Sequence, residues 1–180
     1  MKGVVFREFL NLVDTAFSPE ITEKIITNSK IPSAGAYTSV GTYDHVELVK
    51  LVTELSRETD IPVSELVETF GSFLFERFTV LHENYFSNVT LCFQFLEFVD
   101  SYIHVEVKKL YPDAELPSIL TEKISDNQLL FIYQSDKAMG DLALGLIKAC
   151  IKYFNENISI SRTDIADSQN GEVHFLLTKT

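Results

Sequence analysis

The hydrophobic period changes between Leu110 and Pro117, and that change limits the folds this chain can reach. Up to Leu110, apolar residues return every three or four positions; just after Pro117 they return every second position. The first spacing lines one face of a helix, and the second lines one face of a strand. The expected class is therefore α+β: an N-terminal helical half packed on a C-terminal sheet-bearing half, with the boundary near residues 112–117.

Within the helical half, residues 4–17 carry Val5, Phe9, Leu12, Val13 and Ala16 at helical spacing. Ser18-Pro19 supplies an N-cap followed by a proline at the first helical position, which starts a second helix running to residue 28. Ile31-Pro-Ser-Ala-Gly35 breaks the chain. Asp44-His-Val-Glu47 has the reciprocal capping arrangement in its Asp form and opens a helix to residue 57. After Asp60-Ile-Pro62, a helix over 63–78 carries Leu66, Phe70, Phe73, Leu74 and Phe78. One long helix is expected over 88–110, striped by Cys92, Leu96, Val99, Ile103, Val107 and Leu110, and Tyr111-Pro112 stops it.

Beyond Pro117 the pattern predicts strands over 118–124 and 128–133, joined by the hairpin signal Ser125-Asp-Asn127. A helix over 138–154 follows. Strands over 158–164 and 173–178 then flank the turn signal Ser168-Gln-Asn-Gly171. The second half is thus ββαββ, an antiparallel sheet with a helix across it.

Composition excludes several functions. The 180 residues are 46% hydrophobic, with 14 Phe and no Trp, enough apolar mass for one domain with a real core. The net charge of -11 is spread evenly: 7 basic and 13 acidic residues before position 91, 8 and 13 after it. With no basic face, sequence-independent nucleic-acid binding is excluded, because it needs clustered Lys and Arg. An anionic membrane surface would repel the chain. No stretch approaches the roughly 20 apolar residues of a membrane span. Arg7 and Glu8 interrupt the N-terminal apolar run before it reaches signal-peptide length, which points to the cytoplasm. Cys92 and Cys150 lie in apolar helical patterns and read as buried free thiols.

Few residues offer chemistry. The four histidines are His45, His82, His104 and His174, and no two are three or four residues apart. Without a Cys-x-x-Cys or His-Glu-x-x-His pattern, a zinc site is not indicated. Gly140 and Gly145 stand singly in a helical pattern, so there is no phosphate loop. No Gly-x-Ser-x-Gly elbow exists, and the carboxylates read as solvated faces. The expectation is a protein that is not an enzyme. His45 reads as exposed beside the Asp44 cap, and His82 and His174 as ordinary hydrogen-bonding residues. His104 sits next to Ile103 at the edge of the apolar stripe. The residues alone allow a core-edge histidine there; a neutral imidazole mounted on a helix also suits iron.

The ordered set of short motifs resembles the heme nitric-oxide/oxygen binding (H-NOX) family of bacteria, related to the sensor end of soluble guanylate cyclases. It comprises Met1-Lys-Gly-Val-Val-Phe6, Gly41-Thr-Tyr43-Asp, Ile61-Pro62-Val, Phe70-Gly71, Phe73-Leu74-Phe75, the run from Ile103-His104 to Leu116-Pro117, and Tyr133-Gln-Ser135-Asp-Lys137. The likeness spans nearly the whole chain. It implies one haem-binding domain over 1–180, with a helical subdomain over about 1–60 and a haem-holding remainder over about 61–180. It implies a b-type haem between the two halves. His104 would be the axial iron ligand, Pro117 would press on the porphyrin, and Tyr133, Ser135 and Lys137 would hold the propionates. The family motif is Tyr-x-Ser-x-Arg, so Lys137 departs from it: charge is kept, but the planar fork that grips carboxylates is lost. The C-terminal cysteine cluster of some relatives is absent, since only Cys150 lies in that region.

The resemblance assigns Val5, Phe9, Leu74, Phe78, Leu142 and Leu146 to the distal pocket. Oxygen-binding members place a Tyr where this chain has Leu142. The implied function is a sensor of nitric oxide, also binding CO, with little or no stable O2 binding. Ligand binding would weaken the bond to His104 and let the helical half shift. The signal would pass to a separate histidine kinase or cyclic-di-GMP synthase or phosphodiesterase. Two readings stand beside this one. The chain is alternatively a haem-poor protein–protein interaction module on the same fold, or an enzyme using an apolar cavity.

Overall fold

The computed structural model describes every residue except 167, 169 and 170. The turn expected at 168–171 therefore lies partly outside the described residues.

Four helices build the N-terminal part: α1 (Gly3–Ala16), α2 (Pro19–Ser29), α3 (His45–Thr59) and α4 (Val63–Leu81). Helix α1 buries Phe6, Phe9, Leu12 and Val13. Ala16 is exposed, and Phe6 takes its place in the expected stripe, stacked on Tyr37 at 4.5 Å. Ser18 Oγ caps α2 by accepting from the backbone N–H of Ile21 at 3.3 Å. Asp44 caps α3 by accepting from Val46 N–H at 3.0 Å. The reciprocal half of that motif does not form. The Glu47 carboxylate is buried instead, where it accepts from the Tyr37 hydroxyl at 2.8 Å and from Ser33. A buried carboxylate needs such donors, and this one finds them in the 31–37 loop rather than at its own helix end.

The expected helix over 88–110 is three pieces. Helix α5 (Cys92–Phe98) passes into a π-helical turn (Val99–Ile103) and then α6 (His104–Leu110). Helix α5 starts four residues late because its first N–H, on Cys92, is capped by Glu156 Oε1 at 3.1 Å from across the fold. Cys92 and Cys150 are both buried free thiols, with their sulfurs 3.6 Å apart.

Strands β1 (Ser118–Ser125) and β2 (Gln128–Gln134) form the expected hairpin, with an irregular register between Lys123 and Ser125. Helix α7 (Gly140–Tyr153) then crosses the sheet, and β3 (Ile158–Asp164) and β4 (Val173–Lys179) complete it. The four strands are all antiparallel in the order β1-β2-β4-β3. Leu129, Phe131 and Tyr133 of β2 pair with Leu177, Phe175 and Val173 of β4, and all six are buried on one face. Each such side chain contributes about 1.5–3 kcal/mol relative to exposure.

The buried residues form two clusters. One is built from Phe6 through Leu74, the other from Phe75 through Leu177. They meet at α4, and the α4–α7 crossing is closed by two glycines. A Cβ on Gly71 would stand 2.3 Å from the Leu142 carbonyl oxygen, and one on Gly145 would stand 1.9 Å from that of Glu68. Only hydrogen fits at either position. Among the described residues, no helix is long and apolar enough to cross a membrane.

Candidate functional site

Residues from both clusters line one cavity of about 320 Å³. One wall is the run from α5 through α6, which contributes Leu96, Val99, Ile103, His104, Val107 and Leu110. In an α-helix, residues 99 and 104 would lie roughly 140° apart around the axis. The π turn narrows that angle, since the His104 backbone N–H bonds the carbonyl of Val99, five residues back. His104 is thereby brought round to the apolar stripe and faces the cavity with it.

The His104 side chain is only 15% exposed. Its Nδ1 lies 3.1 Å from Asp100 Oδ1, and the same oxygen accepts from the backbone N–H of Ile119 at 3.3 Å. Burial holds the imidazole pKa below its ordinary value, outweighing the opposite pull of the Asp100 carboxylate. In the neutral ring, a proton on Nδ1 satisfies Asp100 and leaves the Nε2 lone pair free. That is the state a metal ligand needs, and a carboxylate behind the ring raises its basicity.

Pro117 lines the cavity immediately before β1. Tyr133, Ser135 and Lys137 line it as well, but not as a continued strand. Strand β2 ends at Gln134, and the Ser135 carbonyl accepts from the Ala138 N–H at 2.9 Å to form a turn. Ser135 Oγ accepts from the Lys137 backbone N–H at 3.2 Å. Tyr133 thus sits on the strand, and the turn that follows carries the other two. Burial, above all, pushes the Tyr133 phenol pKa up, so the hydroxyl keeps its proton and can donate it. Lys137 Nζ donates to Glu115 Oε2 at 2.8 Å. That bond, first among the causes, holds the Glu115 carboxyl below the usual carboxylate range.

Another wall is hydrocarbon: Val5 from α1, Leu74 and Phe78 from α4, Leu142 and Leu146 from α7. Phe9, expected among them, lies elsewhere. It is fully buried in the helical core, edge-on to Phe70 at 5.2 Å, and does not line the cavity.

The cavity also takes residues that the sequence did not single out. His82 and Tyr85 line it and stack on each other with ring centroids 5.5 Å apart. Extending the α4 stripe by four residues from Phe78 reaches His82; Tyr85 lies in a short 3-10 turn, where no periodicity signals it. Glu115 and Tyr111 line it from the segment around α6 and Pro117.

A family model described as Haem-NO-binding matches residues 2–162. The ferrous, unliganded H-NOX protein of K. algicida is 37% identical, with TM-score 0.92, and the match covers 100% of this chain and 97% of that one. The IWP-051-bound H-NOX of Shewanella woodyi in its Fe(II)CO state is 38% identical, with TM-score 0.85, covering 100% and 95%. The H-NOX protein of S. oneidensis in its Fe(II)NO state has TM-score 0.91 over 100% and 99% of the two chains, at 22% identity, and shows the shared fold. None of the curated proteins matches the chain.

Proposed function

The chain belongs to the Haem-NO-binding family, and from that premise we propose that it is a sensor of nitric oxide, built on ferrous haem b, that regulates a separate signalling protein in the cytoplasm. The observation that carries this reading is His104: a buried, neutral imidazole backed by a carboxylate, facing a largely hydrocarbon cavity. The donor set fits a flat apolar macrocycle with acidic edges. Hydrocarbon side chains supply the walls, and Tyr133, Ser135 and Lys137 supply a phenol, a hydroxyl and an ammonium for carboxylates.

When bound, haem supplies an iron that takes a diatomic gas. His104 would hold that iron, with Asp100 fixing the imidazole tautomer and direction. Pro117 would bear on the ring, and Tyr133, Ser135 and Lys137 would hold the propionates. Val5, Leu74, Phe78, Leu142 and Leu146 present no hydrogen-bond donor. Bound O2 is polarised and forfeits about 1 kcal/mol or more without one, whereas NO and CO do not depend on it. That hydrocarbon wall therefore favours NO over O2.

The output follows from where the helices stand. Helices α4 and α7 line the cavity and also join the two cores, so a shift of α6 against them moves one core against the other. That is a two-state element a ligand can bias. The receiving partner is a histidine kinase or a cyclic-di-GMP synthase or phosphodiesterase. Lys137 favours the alternative, a haem-poor interaction module, because its ammonium already has a partner in Glu115.

Replacing His104 by Gly tests the assignment. The variant should lose the native axial ligation in the ferrous spectrum and regain a five-coordinate spectrum on addition of free imidazole. An unchanged spectrum in His104→Gly would remove His104 from the site.

A further inference from the structure

We propose that Glu115 competes with the acidic edge of the cofactor for the Lys137 ammonium, and so sets how long the pocket retains its haem. This inference rests on the functional reading above. Lys137 and Glu115 both line the cavity and are bonded at 2.8 Å. The Lys137 side chain is 16% exposed and Glu115 is 67% exposed, so the cation is held in place while the acid stands at the open edge.

Two carboxylates arriving beside Lys137 meet a cation that is already paired. A guanidinium presents several donors in one plane and serves two acids; an ammonium is a single compact charge. Nearby cations are committed too. Lys2 Nζ lies 3.2 Å from Asp113, and the Met1 ammonium lies 4.0 Å from the same Glu115 oxygen that Lys137 contacts. Tyr133 and Ser135 donate hydrogen bonds but bring no charge. The ion pair is exposed on its acidic side, where such pairs contribute little stability. Its effect on the fold is therefore small, and its effect on an incoming dianion is larger, because that anion must displace Glu115 to reach the ammonium. The chain as a whole carries -11, which adds no counterweight.

The test is the rate at which ferric haem transfers from the loaded protein to excess apomyoglobin. It is run on wild type, Glu115→Gln, Lys137→Met and the double variant, at low and high salt, with circular-dichroism melts of each cofactor-free protein. Freeing the Lys137 ammonium for the propionates should slow haem loss about fivefold at low salt. The gain should shrink toward 1 M salt, where charge interactions are screened. Most of it should vanish in the Lys137→Met background, and Lys137→Met alone should lose haem faster than wild type. Haem loss from Glu115→Gln at the wild-type rate or faster overturns the inference and leaves the functional reading standing. So does a gain that is equal at both salts and in both backgrounds, because that is a packing effect. A wild-type protein that takes up no haem overturns the functional reading and this inference with it.

Discussion

At the scale of single residues, one oxygen atom does two things. Asp100 Oδ1 holds His104 Nδ1 and the backbone N–H of Ile119, so the imidazole and the start of β1 are referenced to the same point. A ligand histidine whose second nitrogen donates to a carboxylate is a stronger base and a more closely aimed one. Replacing Asp100 by Leu should lower the iron–histidine stretching frequency in the resonance Raman spectrum of the ferrous protein. It should also cost about 1 kcal/mol of stability, because Ile119 N–H loses its acceptor. An unshifted stretch would mean that Asp100 is structural only. Neither bond was legible in the sequence beforehand. Asp100 stands one helical turn before His104, yet nothing local distinguishes it from the other acids that read as solvated faces. Glu47 misled in the same way: its capping position was visible, but its burial depends on Ser33 and Tyr37, which pack against it only in the folded chain.

At the scale of elements, apolar period together with capping and turn signals was enough for α1 through α4, the hairpin, α7 and the two last strands. It was blind to the π turn. The stripe of Leu96, Val99, Ile103 and Val107 already mixes threes and fours, so one extra residue in a turn leaves no mark on it. The late start of α5 was hidden for a different reason, since its cap is Glu156 from beyond α7. Gly145 of α7 read as isolated; the structure makes it, with Gly71 of α4, a joint. A methyl group on Gly145 would collide with the backbone of Glu68 rather than with a movable side chain. Gly145→Ala should therefore cost about 1–3 kcal/mol, seen as a Tm lower by roughly 2–8 °C. A variant as stable as wild type would show that α4 and α7 are free to separate, and the coupling assigned to them would lose its basis.

At the scale of the whole molecule, the cavity lies where the two cores meet, and its chemistry is set by what each core contributes. The second core brings Tyr133, the first brings Val5, Leu74 and Leu142, and the segment from α6 to β1 adds His104 and Pro117. The ordered motifs placed these residues in one site, and the structure gathers all the expected ones except Phe9, which packs within the first core. Burying His104 has a cost that pH reveals. Its folded pKa lies below the ordinary value, so as pH falls the unfolded chain takes the proton first. The stability that comes from a neutral His104 is present above about pH 6.5 and declines as pH falls through that value. In the cofactor-free protein, urea midpoints for wild type should therefore drop more between about pH 8 and pH 5.5 than those of His104→Phe. Parallel profiles would contradict the buried neutral imidazole.

The central claim is that this pocket holds a His104-ligated ferrous haem that answers to NO and ignores O2. The most direct measurement is the visible absorption spectrum of the haem-supplied, reduced protein, taken alone, after NO and after O2. The account predicts a five-coordinate ferrous spectrum that shifts with NO and is unchanged by O2 on the timescale of mixing. A stable oxygen complex would contradict the hydrocarbon wall of Leu74, Phe78, Leu142 and Leu146 as the selective element. Failure to take up haem at all would contradict the sensor reading and leave the interaction module in its place.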